Sequence, residues 1–414
     1  MKEIMTALLA HPQVAAALAA LEADREKTLR QQLELVAVPA PSNDEARRSA
    51  YFAGLLRAEG YAVKTDAVNN VFATVHGSAG QPTVVLAAHL DTVFPPGTDL
   101  TVRRDGQRYI APGINDDTRG LAEILSIARA IKASGLRLRG NLILCANVGE
   151  EGLGNLRGVR QIFAAPNDID AFVSIDGIKP GNIAFCATGS HRYRVVYQNS
   201  GGHSFGAFGM ANPIHAMGRA IGEIAKLKTP AEPKTTFSVG VVSGGTSVNS
   251  IAYEASMLID MRSNSQTELE RFDAQVMAIL HRTLEEENAH WDNNTPVRMT
   301  IELIGKRPAG AQRADAPIVR AFAAAAEAVG IAPHLGGYSS TDCNIPIALG
   351  IPAAAVGRGG LAGKGHSIEE WFIPEDEHKG PQKDLLGVLA LVGVEGGPTP
   401  AGLHPENALY SQTH

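Results

Sequence analysis

Val84-Val85-Leu86-Ala87-Ala88, followed at once by His89-Leu90-Asp91-Thr92, is the stretch from which the fold can be read. Five consecutive apolar residues leave no polar face, as expected of a strand covered on both sides in a parallel sheet. Polar residues begin where that strand should end. In open α/β sheets, ligands bind outside the carboxyl ends of the strands. His89 and Asp91 therefore mark a candidate site as well as a strand end. Residues two apart in extended chain face the same side, so Asp91 could take the second ring N–H of a metal-binding imidazole.

The pattern repeats on either side. A helix fits Leu121–Ile131, and buried strands fit Asn141–Asn147, Ala171–Ile175 and Ala353–Val356. Upstream, Ser42 or Asn43 could cap a helix reaching Glu59 and ending at Gly60, with short strands at Tyr61–Asp66 and Val71–Val75. The first 37 residues read as helix. Met1-Lys2 before apolar residues suggests a secretory signal instead, but Glu3 and the His11-Pro12 break oppose that. Helices alternating with buried strands predict an α/β fold with a mixed, mostly parallel sheet flanked by helices.

Residues 190–303 follow another rhythm. Arg192–Gln198 alternates, Ile214, Met217, Ile221, Ile224 and Leu227 form a helical stripe, and Thr236–Val242 and Ile251–Met261 read as strands. Leu269, Phe272, Val276 and Ile279 make a second stripe before Val297–Leu303. Strand-helix-strand-strand-helix-strand is the ferredoxin-like order. The expectation is a first domain in two parts, 1–189 and 304–414, interrupted by an inserted α+β domain at 190–303.

Composition narrows the function. The 414 residues carry 37 Lys and Arg against 43 Asp and Glu, a net charge of −6, which argues against nucleic acid or an anionic membrane as main partner. The longest apolar run, Val14–Leu21, is far short of the ~20 residues a bilayer requires. Three cysteines fit no disulfide framework and suggest a reducing, cytoplasmic setting. Forty-three glycines exceed the usual ~7% and predict many tight turns or close backbone approaches.

Four further polar clusters sit near predicted strand ends or helix starts. Pro112–Gly120 contains Asp116-Asp117, which could cap a helix or hold cations. Gly149-Glu150-Glu151-Gly152 places two carboxylates between glycines, one free to bind metal while the other serves as a general base. Asp176-Gly177 and Gly365-His366 complete the set. Two histidines and three carboxylates suit borderline cations such as zinc.

These motifs, in this order over nearly the whole chain, resemble the dinuclear-zinc metallopeptidase family of peptidase T, the carboxypeptidase G enzymes, aminoacylases and deacylases. The resemblance implies two zinc ions, with cobalt or manganese as possible substitutes. His89 and Asp176 would bind one, Glu151 and His366 the other, and Asp116 would bridge them. Asp91 would orient His89, and Glu150 would be the general base. The middle domain would be a lid through which a homodimer forms. Gly202-His203-Ser204 looks like the lid histidine that stabilises an oxyanion, and Asn249 and Arg262 look like substrate-binding positions. Thr118-Arg119-Gly120 departs from the family's frequent Lys-Gly-Gly. Asp176, rather than Glu, is similar to the aminopeptidase branch. A peptidase T-like enzyme acting on di- or tripeptides is therefore expected, with an N-acyl-amino-acid deacylase or carboxypeptidase as the alternative.

Three other motifs compete. Gly202-His203-Ser204-Phe205-Gly206 matches a nucleophile elbow, with Asp342 and His366 following in serine-esterase order, but no strand-to-helix turn is predicted there. Gly357-Arg358-Gly359-Gly360-Leu361-Ala362 matches a dinucleotide fingerprint. A glycine-rich loop approaching substrate, with Arg358 as a carboxylate anchor beside Lys364, is the preferred reading. Cys343 reads as a small buried residue rather than a nucleophile. A non-catalytic binding scaffold would not require the five ligands and Glu150 together.

Overall fold

The apolar runs become strands in the computed structural model of the chain, which describes residues 1–291 and 295–403. The described chain divides into two compact units, one formed by Met1–Ala187 with 311–403, the other by Thr188–Gly310.

In the first unit the main sheet runs, from one edge, Val63–Thr65, Val71–Val75, Asn141–Asn147, Thr83–His89, Ala171–Gly177, Ala353–Gly357 and Asn182–Ala187. The middle four of these, Asn141–Asn147 through Ala353–Gly357, are mutually parallel. Residues His89 and Asn147 are register partners, as are Gly177 and Gly357. Four carboxyl ends therefore leave the sheet on one edge. All of Thr83–His89 is buried, and its alternate residues serve two different cores. Leu86 and Ala88 pack with Leu121, Leu125, Ile175, Val356 and Leu389. Val85 and Ala87 pack with Cys145, Phe172, Val159 and Ile345. That two-sided burial is the physical reason for an unbroken apolar run.

The helix Thr118–Ser134 begins behind the strand ends. Asp117 caps it by accepting from the Gly120 N–H, and Gly135, at φ 63°, closes it in the left-handed conformation. The predicted helix after Ser42 starts later, at Ala46. The Ser42 hydroxyl is bonded to Asp91 instead of capping, and Pro41 bridges to Thr92 in extended chain. The expected N-terminal helix is three, Lys2–Ala10, Pro12–Ala23 and Arg25–Val36, broken at His11 and Asp24. Among the described residues no single helix is long and apolar enough to cross a membrane; the first two pass that test only as a pair bent by 79°. The Gly357–Gly360 loop leads into the short strand Leu361–Gly363, not a helix, so it lacks the context a dinucleotide fingerprint requires.

In the second unit a four-stranded antiparallel sheet has the order Thr235–Gly244, Glu254–Ser263, Gly189–Gln198, Arg298–Arg307. Numbered along the chain this is 2-3-1-4, the ferredoxin-like arrangement, with helices Pro213–Ile224 and Gln266–His290 between the strands. Val195, Tyr197, Met257 and Ile259 share a core with Ala216, Ala220, Leu269, Phe272 and Val276, so this unit has its own hydrophobic centre.

Candidate metal centre

Each of the four parallel strands delivers polar residues at the common edge. Thr83–His89 ends on the buried His89 imidazole, whose Nδ1 lies 3.0 Å from the Asp91 backbone carbonyl and 3.6 Å from its Oδ1. The backbone carbonyl is thus the nearer contact of that nitrogen. The Asp91 carboxylate accepts from the Glu150 and Glu151 N–H groups at 2.9 Å each and from Ser42 Oγ at 2.7 Å. It holds the loop after Asn141–Asn147 in place. Gly149 and Gly152 have positive φ, 71° and 52°, and give that loop its sharp turns.

Asp116 lies between the two imidazoles. Its Oδ1 is 3.1 Å from His89 Nε2, and its Oδ2 is 3.3 Å from His366 Nε2. His366 Nε2 is also 2.8 Å from Glu151 Oε1, and His89 Nε2 is 3.9 Å from Asp176 Oδ1. The Asp116–Asp117 peptide is cis. The loop carrying Asp116 is gripped by Glu370, whose carboxylate accepts from the N–H groups of Gly113, Asn115 and Asp116 at 2.8–2.9 Å. The five expected ligands, His89, Asp116, Glu151, Asp176 and His366, are therefore brought together, with Glu150 beside them.

Among the described residues two overlapping sets can surround a cation. His89, Asp116 and Glu151 offer donor atoms within 4.8 Å of one another, as do His89, Glu150 and Asp176. Metal–donor bonds of about 2.0–2.2 Å put tetrahedral ligand atoms about 3.3–3.6 Å apart, and the separations above bracket that spacing. The nitrogen and oxygen donors suit zinc, cobalt or manganese, and no cysteine belongs to the set.

The charges show how strongly the cluster attracts positive charge. Hydrogen bonds to Asp116 and Glu151 push the His366 imidazole up to about 10. Against burial, bonds to Asp116 and Asp91 carry His89 well above its ordinary value. Burial pushes the Asp176 carboxyl up to about 8 and that of Asp117 to about 7, whereas Arg358, His366 and His89 outweigh burial at Asp116 and hold it low.

Arg358 differs from its expected place. Its side chain is only 1% exposed, and its Nη2 donates at 2.7 Å to both Asp116 Oδ1 and Asp176 Oδ1 while Nε donates at 2.6 Å to Asp117 Oδ1. Donors occupied by three aspartates are not offered to a substrate carboxylate. Helix capping by Asp117 follows the sequence reading, but its bond to Arg358, and the supporting roles of Glu370 and Ser42, do not. These contacts involve backbone N–H groups, or residues far along the chain, which no local pattern displays.

The serine-esterase arrangement is not formed. Gly202–His203 is a two-residue strand and the next helix begins at Pro213, so Ser204 does not stand on a strand-to-helix elbow. His366 faces Glu151 and Asp116, while Asp342 is buried and accepts from Asn147 Nδ2 at 2.6 Å. Cys343 is buried and its thiol is shifted to higher pKa by burial, against a role as nucleophile. In the second unit His203 pairs with Ser250, and its Nδ1 accepts from the Phe205 and Gly206 N–H groups. Ser204 N donates to the Asn249 carbonyl, so these two positions are neighbours. Arg262, half-exposed, is bonded to Asp260.

Residues 85–382 match the family described as Peptidase family M20/M25/M40. Succinyl-diaminopimelate desuccinylase of Nitrosospira multiformis is 26% identical over 243 residues, 51% of this chain and 61% of that protein. The chain thus spans less than two thirds of this curated relative. Aminopeptidase PepT of Bacillus cereus superposes with a TM-score of 0.70 at 21% identity, covering 88% of this chain and 99% of the other. A tripeptidase of Staphylococcus aureus gives 0.71 at 20%, covering 88% and 97%. A dinuclear metal-binding peptidase of Bacillus subtilis gives 0.64 at 18%, covering 89% and 98%.

Proposed function

Because the chain belongs to peptidase family M20/M25/M40 and is a hydrolase of that family, we propose that it cleaves the amide bond of a short peptide with two bound metal ions. One observation carries this reading: a single carboxylate, Asp116, faces His89 with one oxygen and His366 with the other. His89 and Asp176 would hold one ion, Glu151 and His366 the other, with Asp116 shared. Bound there, divalent cations lower the pKa of a water towards ~7 and polarise the scissile carbonyl.

The chain's own residues supply the rest. Glu150 is buried beside the ligands, its backbone fixed by Asp91, and takes the proton of the attacking water before passing it to the leaving amine. Asp91 fixes the ring of His89 through its carbonyl and the Glu150–Glu151 backbone through its carboxylate. His203 would stabilise the oxyanion, and Asn249 and Arg262 would bind substrate, from the second unit. That unit would also carry a homodimer contact, supported by exposed Val241 and Val242 on an edge strand. Light scattering of the purified protein would have to show twice the chain's mass. Three unpaired buried cysteines support a cytoplasmic location.

Asp176 and the peptidases among the similar structures favour di- or tripeptides. The desuccinylase relative favours N-acyl amino acids, so both belong in the test. Chelated protein should be inactive on a panel of di- and tripeptides and N-succinyl or N-acetyl amino acids, and zinc, cobalt or manganese should restore turnover. Glu150→Gln should keep its metal yet lose at least about a hundredfold in kcat. Undiminished turnover by that variant, or by the chelated protein, would refute the mechanism.

A further inference from the structure

We propose that Arg358 is a built-in cation that competes with one of the two metal ions, making the centre bind its ions with very unequal affinity. The inference rests on the metal reading of the site. Nη2 stands 2.7 Å from Asp116 Oδ1 and 2.7 Å from Asp176 Oδ1, the oxygens that, with His89 Nε2, form one side of the centre. A metal bound to those oxygens at about 2.0–2.2 Å would meet the guanidinium at close range, where like charges repel strongly. On the other side, His366 Nε2, Glu151 Oε1 and Asp116 Oδ2 lie within 2.8–3.3 Å of one another along the bonded pairs, and no Arg358 contact reaches Glu151 or His366.

The fold holds the arginine in this position. Arg358 N donates to the Gly177 carbonyl at 2.9 Å, and Gly359 N donates to the buried Glu123 carboxylate at 2.6 Å. Arg119 Nε fixes that same Glu123 oxygen at 2.7 Å. The backbone on both sides of Arg358 is thus pinned, and Nε is tied to Asp117. The side chain is a fixed member of the cluster. Its single charge partly neutralises three aspartates, so the second ion gains less from binding there than the first ion gains at Glu151 and His366.

The test is a zinc or cobalt titration of chelated protein by calorimetry, with bound metal counted by mass spectrometry. Wild type should bind one ion tightly and a second at least about a hundredfold more weakly. Asp176→Asn should abolish only the weak step. Arg358→Ala should tighten the weak step at least about tenfold and leave the tight step within threefold; Arg358→Lys, which keeps the charge, should stay nearer wild type. Two equally tight ions in wild type would overturn the proposal even if Arg358→Ala fails to fold, as would an unchanged weak step in a folded Arg358→Ala. Absence of metal binding in every variant would instead remove the proposed function itself.

Discussion

Glu370 shows how a single carboxylate can build a site without belonging to it. Its two oxygens collect three N–H groups from Gly113, Asn115 and Asp116, and burial pushes its carboxyl up to about 7 against those bonds. Glu370→Gln would set an amide NH2 against at least one backbone donor. Leaving a buried donor unpaired costs about 1–3 kcal/mol, so urea unfolding of the metal-free variant should show a loss of that size. A change below about 0.5 kcal/mol would mean that the loop carrying Asp116 is held by other contacts. Asp91 acts in the same way on Glu150 and Glu151. Its spacing from His89 was legible in the sequence, but its partners were not, because every residue type except proline carries a backbone N–H. The contacts of Arg358 are not legible for a related reason. Its partners lie 182 to 242 positions away, and a glycine-rich loop does not display them.

The strands fared better because their signal is local. Val84–Ala88, Asn141–Asn147 and Ala353–Val356 announced themselves by apolar runs that two cores require, and the observed strands extend them by at most one residue at either end. Once these strands are parallel neighbours, the convergence of His89, Glu151, Asp176 and the Gly357 loop follows from the sheet. Short exposed strands such as Arg103–Asp105 and Leu361–Gly363 carry no such pattern and were not foreseen. The glycine excess also has a local cause at one junction. A Cβ on Gly357 would lie 1.8 Å from the Lys179 carbonyl oxygen, and one on Gly177 would lie 2.8 Å from the Gly357 Cα. Gly357→Ala should therefore lower stability by about 3 kcal/mol or more, since backbone cannot yield as a flexible side chain can. Near-wild-type denaturant unfolding would show that the strand end tolerates a wider separation.

Each of the two units has its own core, and all five expected ligands belong to the first. Metal binding should accordingly stabilise that unit alone. At a hundred times Kd, a ligand adds about 2.7 kcal/mol to the unit that binds it. Scanning calorimetry with and without zinc should thus move one transition upward and leave the transition of Thr188–Gly310 in place. An equal shift of all transitions would show that the units unfold as one.

The donors are spread from residue 89 to residue 366, with the whole second unit threaded between Asp176 and His366. During synthesis, Asp116, Glu150, Glu151 and Asp176 leave the ribosome well before the last donor exists. Domains fold as the chain emerges, so the acidic half of the centre must wait for its counterpart. Arg358 and His366 arrive eight residues apart, bringing the neutralising charge and the final imidazole in nearly the same moment. The order of translation therefore makes the centre a late event in maturation, and a chain truncated before Gly357 would carry the carboxylates without the groups that reconcile them.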